Sequence, residues 1–314
     1  MTAHESVPSQ LVPTAAADAA ESSQADGAPV VRIRFDVAYD GSGFNGWSRQ
    51  PDQRTVQGEI ERALSTVFRR HPPAPTLIVA GRTDAGVHAA GQVAHADLTA
   101  QQAAAVLKPR RGSTAETDAG AALARRINGI LGPVPDIVIT RGSIAPTGFD
   151  ARFSAVWRSY EYRLADREAK RDPLQRHRTT WYPTALDGAA MSEAASTLTG
   201  LHDFAAYCKP REGATTIRTL QDFGWRRDDD GVLIATVKAD AFCHSMVRSL
   251  VGACVAVGEG KLAIRDLALL RDVGERTSAF KVMPARGLTL MQVGYPDDSE
   301  LAARADQTRA RRSL

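Results

Sequence analysis

"VRIRFDVAY", residues 31–39, alternates apolar and polar side chains without a break. Val31, Ile33, Phe35, Val37 and Tyr39 fall on one face, the pattern of a half-buried β-strand. A glycine-rich loop, "DGSGFNGW" (40–47), follows. "TVQGEIERALSTVFRR" (55–70) then switches to helical spacing, with Val56, Ile60, Leu64, Val67 and Phe68 on one face and Thr55 as predicted N-cap. "PTLIVAG" (75–81) and "QVAHADL" (92–98) read as short strands. After a long polar stretch come a helix around "AALARRINGIL" (121–131) and the strand "DIVITRG" (136–142). Strand, helix, strand, strand, helix, strand is the ferredoxin-like order found in many RNA-binding modules.

The rest of the chain repeats these ingredients less regularly. "SYEYRL" (159–164) is a predicted strand, and "TALDGAAMSEAASTLTG" (184–200) a helix stopped by Gly200. "TIRTLQDFGWRR" (216–227) and "GVLIATVKADAF" (231–242) predict a hairpin around Asp-Asp-Asp-Gly. Two helices, "HSMVRSLVGACVAVGEG" (244–260) and "AIRDLALLRDV" (263–273), precede a last strand, "GLTLMQVGY" (287–295). No solenoid period is present. The expected fold is α/β (α+β): two ferredoxin-like, RRM-like halves, 30–150 and 151–297, sharing a largely antiparallel sheet with a central active-site cleft. Residues 1–29 read as a disordered leader, 298–314 as a basic tail and "AVLKPRRGSTAETDAG" (105–120) as an internal loop.

Composition narrows the function classes. The chain has 314 residues, 43% of them hydrophobic, as in a globular protein of one large or two ordinary domains. No apolar run approaches the roughly 18 residues of a membrane-spanning helix. The N-terminus lacks the basic start and apolar core of a secretory signal. Cys208, Cys243 and Cys254 form no C-x-x-C pair or zinc spacing, which predicts free thiols and a cytoplasmic address. The leader carries Glu5, Asp18, Glu21 and Asp26 but no base, leaving 39 basic against 32 acidic side chains in the remainder. An arginine-rich body suits a phosphate-bearing partner, and equally a high-GC genome.

No P-loop, H-E-x-x-H or G-x-S-x-G is present, and no cofactor or metal is implied. Asp84 lies in "GRTDAG" directly after the strand "LIVAG", with Gly81 and Gly86 permitting a tight turn that exposes the carboxylate. A β-turn aspartate bonding its own backbone has the same appearance. Arg248 sits at helical spacing from His244 and Gly252, on a helix otherwise apolar; it either pairs with an anion such as Asp84 or reaches water. Tyr160 and Tyr162 share a strand face, as core packing or as a platform for stacking a base, and Arg152 and Arg158 nearby tilt toward nucleic acid. His88 and His95 read as structural.

The long stretch "AGRTDAGVHAAGQVAH" (80–95) resembles the catalytic motif of the TruA family of tRNA pseudouridine synthases. "YDGSGFNGWSRQ", "TVQGEIERAL", "RINGILGPVPDI", "FDARFSA" with "YEY", "LTGLHDFAAYC" and "FCHSMVRSLVGACVAVGEG" extend the resemblance from about Val31 to Pro296. It implies isomerisation of uridine to pseudouridine in the anticodon stem-loop of tRNA, at tRNA positions 38, 39 and 40, by a homodimer without cofactor or required metal. It further implies Asp84 as catalytic nucleophile or base, Arg82 as helping to extrude the nucleotide, Tyr160 as stacking on the uracil, Arg248 as partner of Asp84 and Leu288 as an apolar wall. A non-catalytic RNA-binding module on the same scaffold, or action on other uridines, are the alternatives. Ser48 stands where many members carry Gln, and the 108–120 connection is longer than in compact members.

Overall fold

Alternation and helical spacing emerge as read, because each buries its apolar face against the other. In the computed structural model, which describes residues 30–108, 118–133, 135–211, 213 and 215–310, the first strand β1 (Val30–Tyr39) leads through a glycine-rich turn to helix α1 (Val56–Val67). Thr55 caps α1 by accepting from the Gly58 amide. Ile33, Phe35, Ile60 and Leu64 are fully buried, each contributing about 1.5–3 kcal/mol of hydrophobic stabilisation. There follow β2 (Ile78–Val79), β3 (His88–Thr99), α2 (Ala100–Leu107), α3 (Ala119–Leu131) and β4 (Ile137–Ile144).

The remaining elements are β5 (Trp157–Ala165), β6 (Thr180–Trp181), α4 (Gly188–Ser196), β7 (Gly200–Asp203), β8 (Ile217–Arg227), β9 (Leu233–Ala239), α5 (Met246–Gly258), α6 (Ile264–Val273), β10 (Leu288–Gly294) and α7 (Leu301–Ala310). All strands join one sheet in the order β4-β1-β3-β10-β5-β9-β8-β7, with β2 also on β3 and β6 on β5. This is a mixed α/β fold, a central sheet flanked by helices. Every pairing is antiparallel except β3 with β10 and β5 with β6. The β3–β10 pairing sets Thr289 opposite His88 and Leu290 opposite Ala89. A side chain at Gly91 would run into the Met291 carbonyl, so glycine permits this close approach. One apolar cluster runs through both halves of the chain.

Several elements depart from the sequence reading. β3 starts four residues before "QVAHADL", so half of the long motif is strand. α4 ends at Ser196, and Gly200, at φ +113°, opens the unpredicted β7. Ala105–Leu107 closes α2, whose Thr99–Gln102 capping box was hidden in a polar stretch. The expected basic tail instead forms α7, with Leu301 and Ala305 buried and Arg309 paired to Asp150 at 3.0 Å. Cys208 and Cys243 are disulfide-bonded, their Cα atoms 5.8 Å apart, so among the cysteines only Cys254 keeps the expected free thiol. Chain proximity, invisible in the spacing, decides that pairing. The leader (1–29), residues 109–117 of the loop and 311–314 lie outside the described residues. Among the described residues, no helix is long and apolar enough to cross a membrane.

Candidate active site

Asp84 stands in the turn between β2 and β3, at the seam where β3 meets β10. The turn is fixed from several sides. Tyr39 and Thr83 share a hydroxyl hydrogen bond of 2.8 Å, and the Gln92 side-chain amide donates to the Gly81 carbonyl at 2.9 Å. The glycine-rich loop clamps it as well: the Trp47 amide donates to the Thr83 carbonyl at 3.1 Å, and the Gly86 amide to the Phe44 carbonyl at 3.2 Å. Gly46, at φ +91°, lies so close that a Cβ there would stand 2.9 Å from the Thr83 carbonyl oxygen. His88 is buried under the same loop. Its Nδ1 accepts from the Gly41 amide at 3.0 Å and its Nε2 donates to the Arg286 carbonyl at 3.1 Å. Burial lowers its pKa, consistent with the structural role expected for it.

Arg248, in the first turn of α5, reaches this turn from the other half. Its Nη2 donates to Asp84 Oδ2 at 3.2 Å and to Ser245 Oγ at 3.1 Å, while Nη1 donates to the Met283 carbonyl at 3.4 Å. Of the two sequence readings, anion pairing is the one the structure contains. The side chains are 20% and 32% exposed, so the pair is shielded yet open to a ligand. His244 Nε2 lies 3.6 Å from the other carboxylate oxygen, Oδ1. Sequence spacing put His244 on the helix with Arg248; it sits in the turn before α5, which begins at Met246 after a left-handed Ser245 at φ +64°.

Tyr160 and Leu288 line the neighbouring strands. Leu290 pairs with Tyr160 and Leu288 with Tyr162, so all four side chains face one side of the β5–β10 ribbon. Tyr160 is 9% exposed and packs edge-to-face on Phe242 with centroids 5.1 Å apart. Burial raises the pKa of its hydroxyl, with smaller pushes from Tyr39 and the Asp84 carboxylate. Tyr162 is a core residue, its hydroxyl donating to the Pro284 carbonyl at 2.9 Å. Leu288, the first residue of β10, is buried. Arg82 is exposed and, among the described residues, has no ion-pair partner.

Arg158 differs from the nucleic-acid reading. Its guanidinium turns inward, donating to the carbonyls of Asp240 at 2.7 Å and Ala80 at 2.8 Å, which ties β5 to the strand end before Asp84. His95 is fully buried and accepts from the Ala151 amide at 3.0 Å. Sequence reading passed over Tyr39, Thr83, Gln92 and His244. Only His244 carried a signal, its four-residue spacing from Arg248. A cavity of about 300 Å³ lined by Arg34, Phe149, Trp157 and Tyr295 does not include Asp84. Among the described residues, no group of three or more His, Cys, Asp or Glu is placed to hold a metal ion.

A buried-edge carboxylate held by a guanidinium, with aromatic and apolar walls alongside, suits general-base or nucleophilic work on a flat ring. Residues 194–296 match the model of the family described as tRNA pseudouridine synthase. The tRNA pseudouridine synthase A of Leifsonia xyli subsp. xyli is 65% identical over 283 residues, covering 90% of this chain and 98% of that protein. This chain belongs to the TruA family. Other members at similar coverage are the tRNA pseudouridine synthases A of Frankia casuarinae, 52% identical over 90% of this chain and 95% of that one, and of Streptomyces avermitilis, 50% identical over the same shares. The TruA match extends across both halves of the sheet and includes both Asp84 and Arg248, whereas the family model covers only the second half and part of the seam.

Proposed function

We infer that this chain isomerises uridine to pseudouridine in tRNA, with Asp84 as the catalytic carboxylate. Family membership supports the reaction. The observation that carries the site is the Asp84–Arg248 pair, 3.2 Å apart at the seam of the two halves. The N1–C1′ glycosidic bond breaks, the uracil turns, and C5 joins C1′, with no net redox change. Asp84 starts this as nucleophile or base, and Arg248 holds its Oδ2 by a hydrogen bond. Tyr160 stacks on the base and Leu288 closes the apolar wall, which keeps the freed uracil from escaping. Exposed Arg82 helps to hold the nucleotide out of its stack, at a flipping cost of a few kcal/mol.

The finer reading places the target in the anticodon stem-loop, at tRNA positions 38, 39 and 40, and makes the protein a homodimer. The halves 30–150 and 151–297 are two ferredoxin-like units. Strand order supports this: with the short β6 and β7 set aside, β4-β1-β3-β2 and β10-β5-β9-β8 both follow the order fourth, first, third, second. The deciding experiment is tritium release from tRNA carrying uridine labelled at C5, with wild type beside Asp84→Asn and the released label mapped along the anticodon arm. Release by wild type only, from that arm, is expected. Comparable release by Asp84→Asn sinks the assignment of Asp84.

A further inference from the structure

The reaction moves one proton from C5 of the uracil to N1. When N1–C1′ breaks, the base keeps both electrons of that bond. C5 then bonds C1′ with a ring electron pair and becomes tetrahedral, still bearing its hydrogen. Loss of that proton returns its electron pair to the ring, while N1 takes up a proton, so charge balances. Where Asp84 first attacks C1′, C5 displaces it on joining C1′, so the carboxylate is free again to take the C5 proton. It then needs a route to pass the proton to water while a uridine covers it.

We propose that His244 is that route, a proton exit acting through Asp84; this rests on Asp84 being the catalytic carboxylate. Arg248 occupies Oδ2 and, as a guanidinium, accepts no proton. His244 Nε2 faces the other oxygen, Oδ1, at 3.6 Å. That gap is longer than a hydrogen bond, and a small side-chain shift or one bridging water closes it. The imidazole is 43% exposed, so the same ring reaches solvent. Tyr160 is not an alternative route to solvent, because the residue is only 9% exposed.

The backbone around His244 is held while its ring is not. The Lys209 amide donates to the His244 carbonyl at 2.9 Å, and Cys243 is bonded to Cys208. Asp84, from the β2–β3 turn, is the charged group that meets the ring, while Arg248 from α5 holds the other carboxylate oxygen and Lys209 bonds the His244 backbone. In the step itself the C5 proton passes to Asp84, from the carboxyl group to His244 Nε2, and from Nδ1 to water. Imidazole suits such a relay because one ring nitrogen accepts a proton while the other donates one.

The test is chemical rescue of His244→Gly, read as single-turnover pseudouridine formation and as C5 tritium release. The variant should lose about 10²-fold in rate with tRNA affinity unchanged. Added imidazoles should restore the rate in a saturable way that tracks their pKa. His244→Asn should be slow and fold normally by circular dichroism. Wild-type rates in both variants, or a slow His244→Gly indifferent to the pKa of the added imidazole, overturn the proposal. Asp84→Asn separates the two readings. If it is inactive with or without imidazole while His244 variants run at wild-type rate, only the proton exit fails; if it is active, the catalytic assignment fails first.

Discussion

Arg248 Nη2 meets Asp84 Oδ2 at 3.2 Å although the two residues are 164 positions apart. The contact joins the β2–β3 turn to α5, so the surroundings of the carboxylate are completed only in the tertiary structure. Arg248→Lys keeps the charge but loses the planar fork that binds Asp84, Ser245 and Met283 at once. Turnover should fall by about 10²-fold or more while tRNA affinity changes little. Single-turnover kinetics with a parallel binding titration check this; an unchanged rate would remove Arg248 from the site.

Tyr160 separates ring from hydroxyl. Its phenol packs edge-to-face on Phe242, and burial holds the hydroxyl protonated. Tyr160→Phe should therefore stay within about tenfold of wild type, whereas Tyr160→Ala should lose the stacking worth about 1–3 kcal/mol per base. Equal loss in both variants, measured on the same tRNA, would assign the hydroxyl a chemical role instead.

His95 sets an acid limit on stability. Burial, and then the positive charge of Arg32, lower its pKa to about 4. In the unfolded chain it takes its proton near pH 6.5. Between these values the unfolded state binds more protons, so stability falls as pH drops from above 6.5 toward 4 and levels off below. The swing is at most about 3 kcal/mol. Guanidinium unfolding of wild type and His95→Asn across this range should show a flatter profile for the variant.

The Cys208–Cys243 bond predicts a thiol count. Denatured without reductant, the chain should offer one reactive thiol, Cys254; after reduction it should offer three. The bond closes a loop of 35 residues and constrains the unfolded chain by about 4 kcal/mol at most. A midpoint of unfolding unmoved by reductant would mean that the link adds nothing to stability.

An arginine-rich surface recognising tRNA predicts affinity that falls steeply with salt, through counterion release at several phosphates. Binding unchanged between low and physiological ionic strength would contradict a phosphate-led interface.

The sequence by itself determined the local elements. Alternation over 31–39 and helical spacing behind Thr55 are properties of neighbours two to four residues apart, and β1 and α1 follow them. It pointed to Asp84 only through the resemblance carried by the long motif 80–95, because a glycine-flanked acid after a strand looks the same as an ordinary turn aspartate. Short, weakly patterned elements escaped: β7 spans four residues, and α7 looked like a charged tail because only Leu301 and Ala305 are buried. The tertiary structure alone decided what surrounds the acid. The parallel pairing of β3 with β10, the meeting of Arg248 and His244 with Asp84, the inward turn of Arg158 and the joining of Cys208 to Cys243 all depend on sheet order. Sheet order is set by global burial of apolar faces, and no local period in the chain records it.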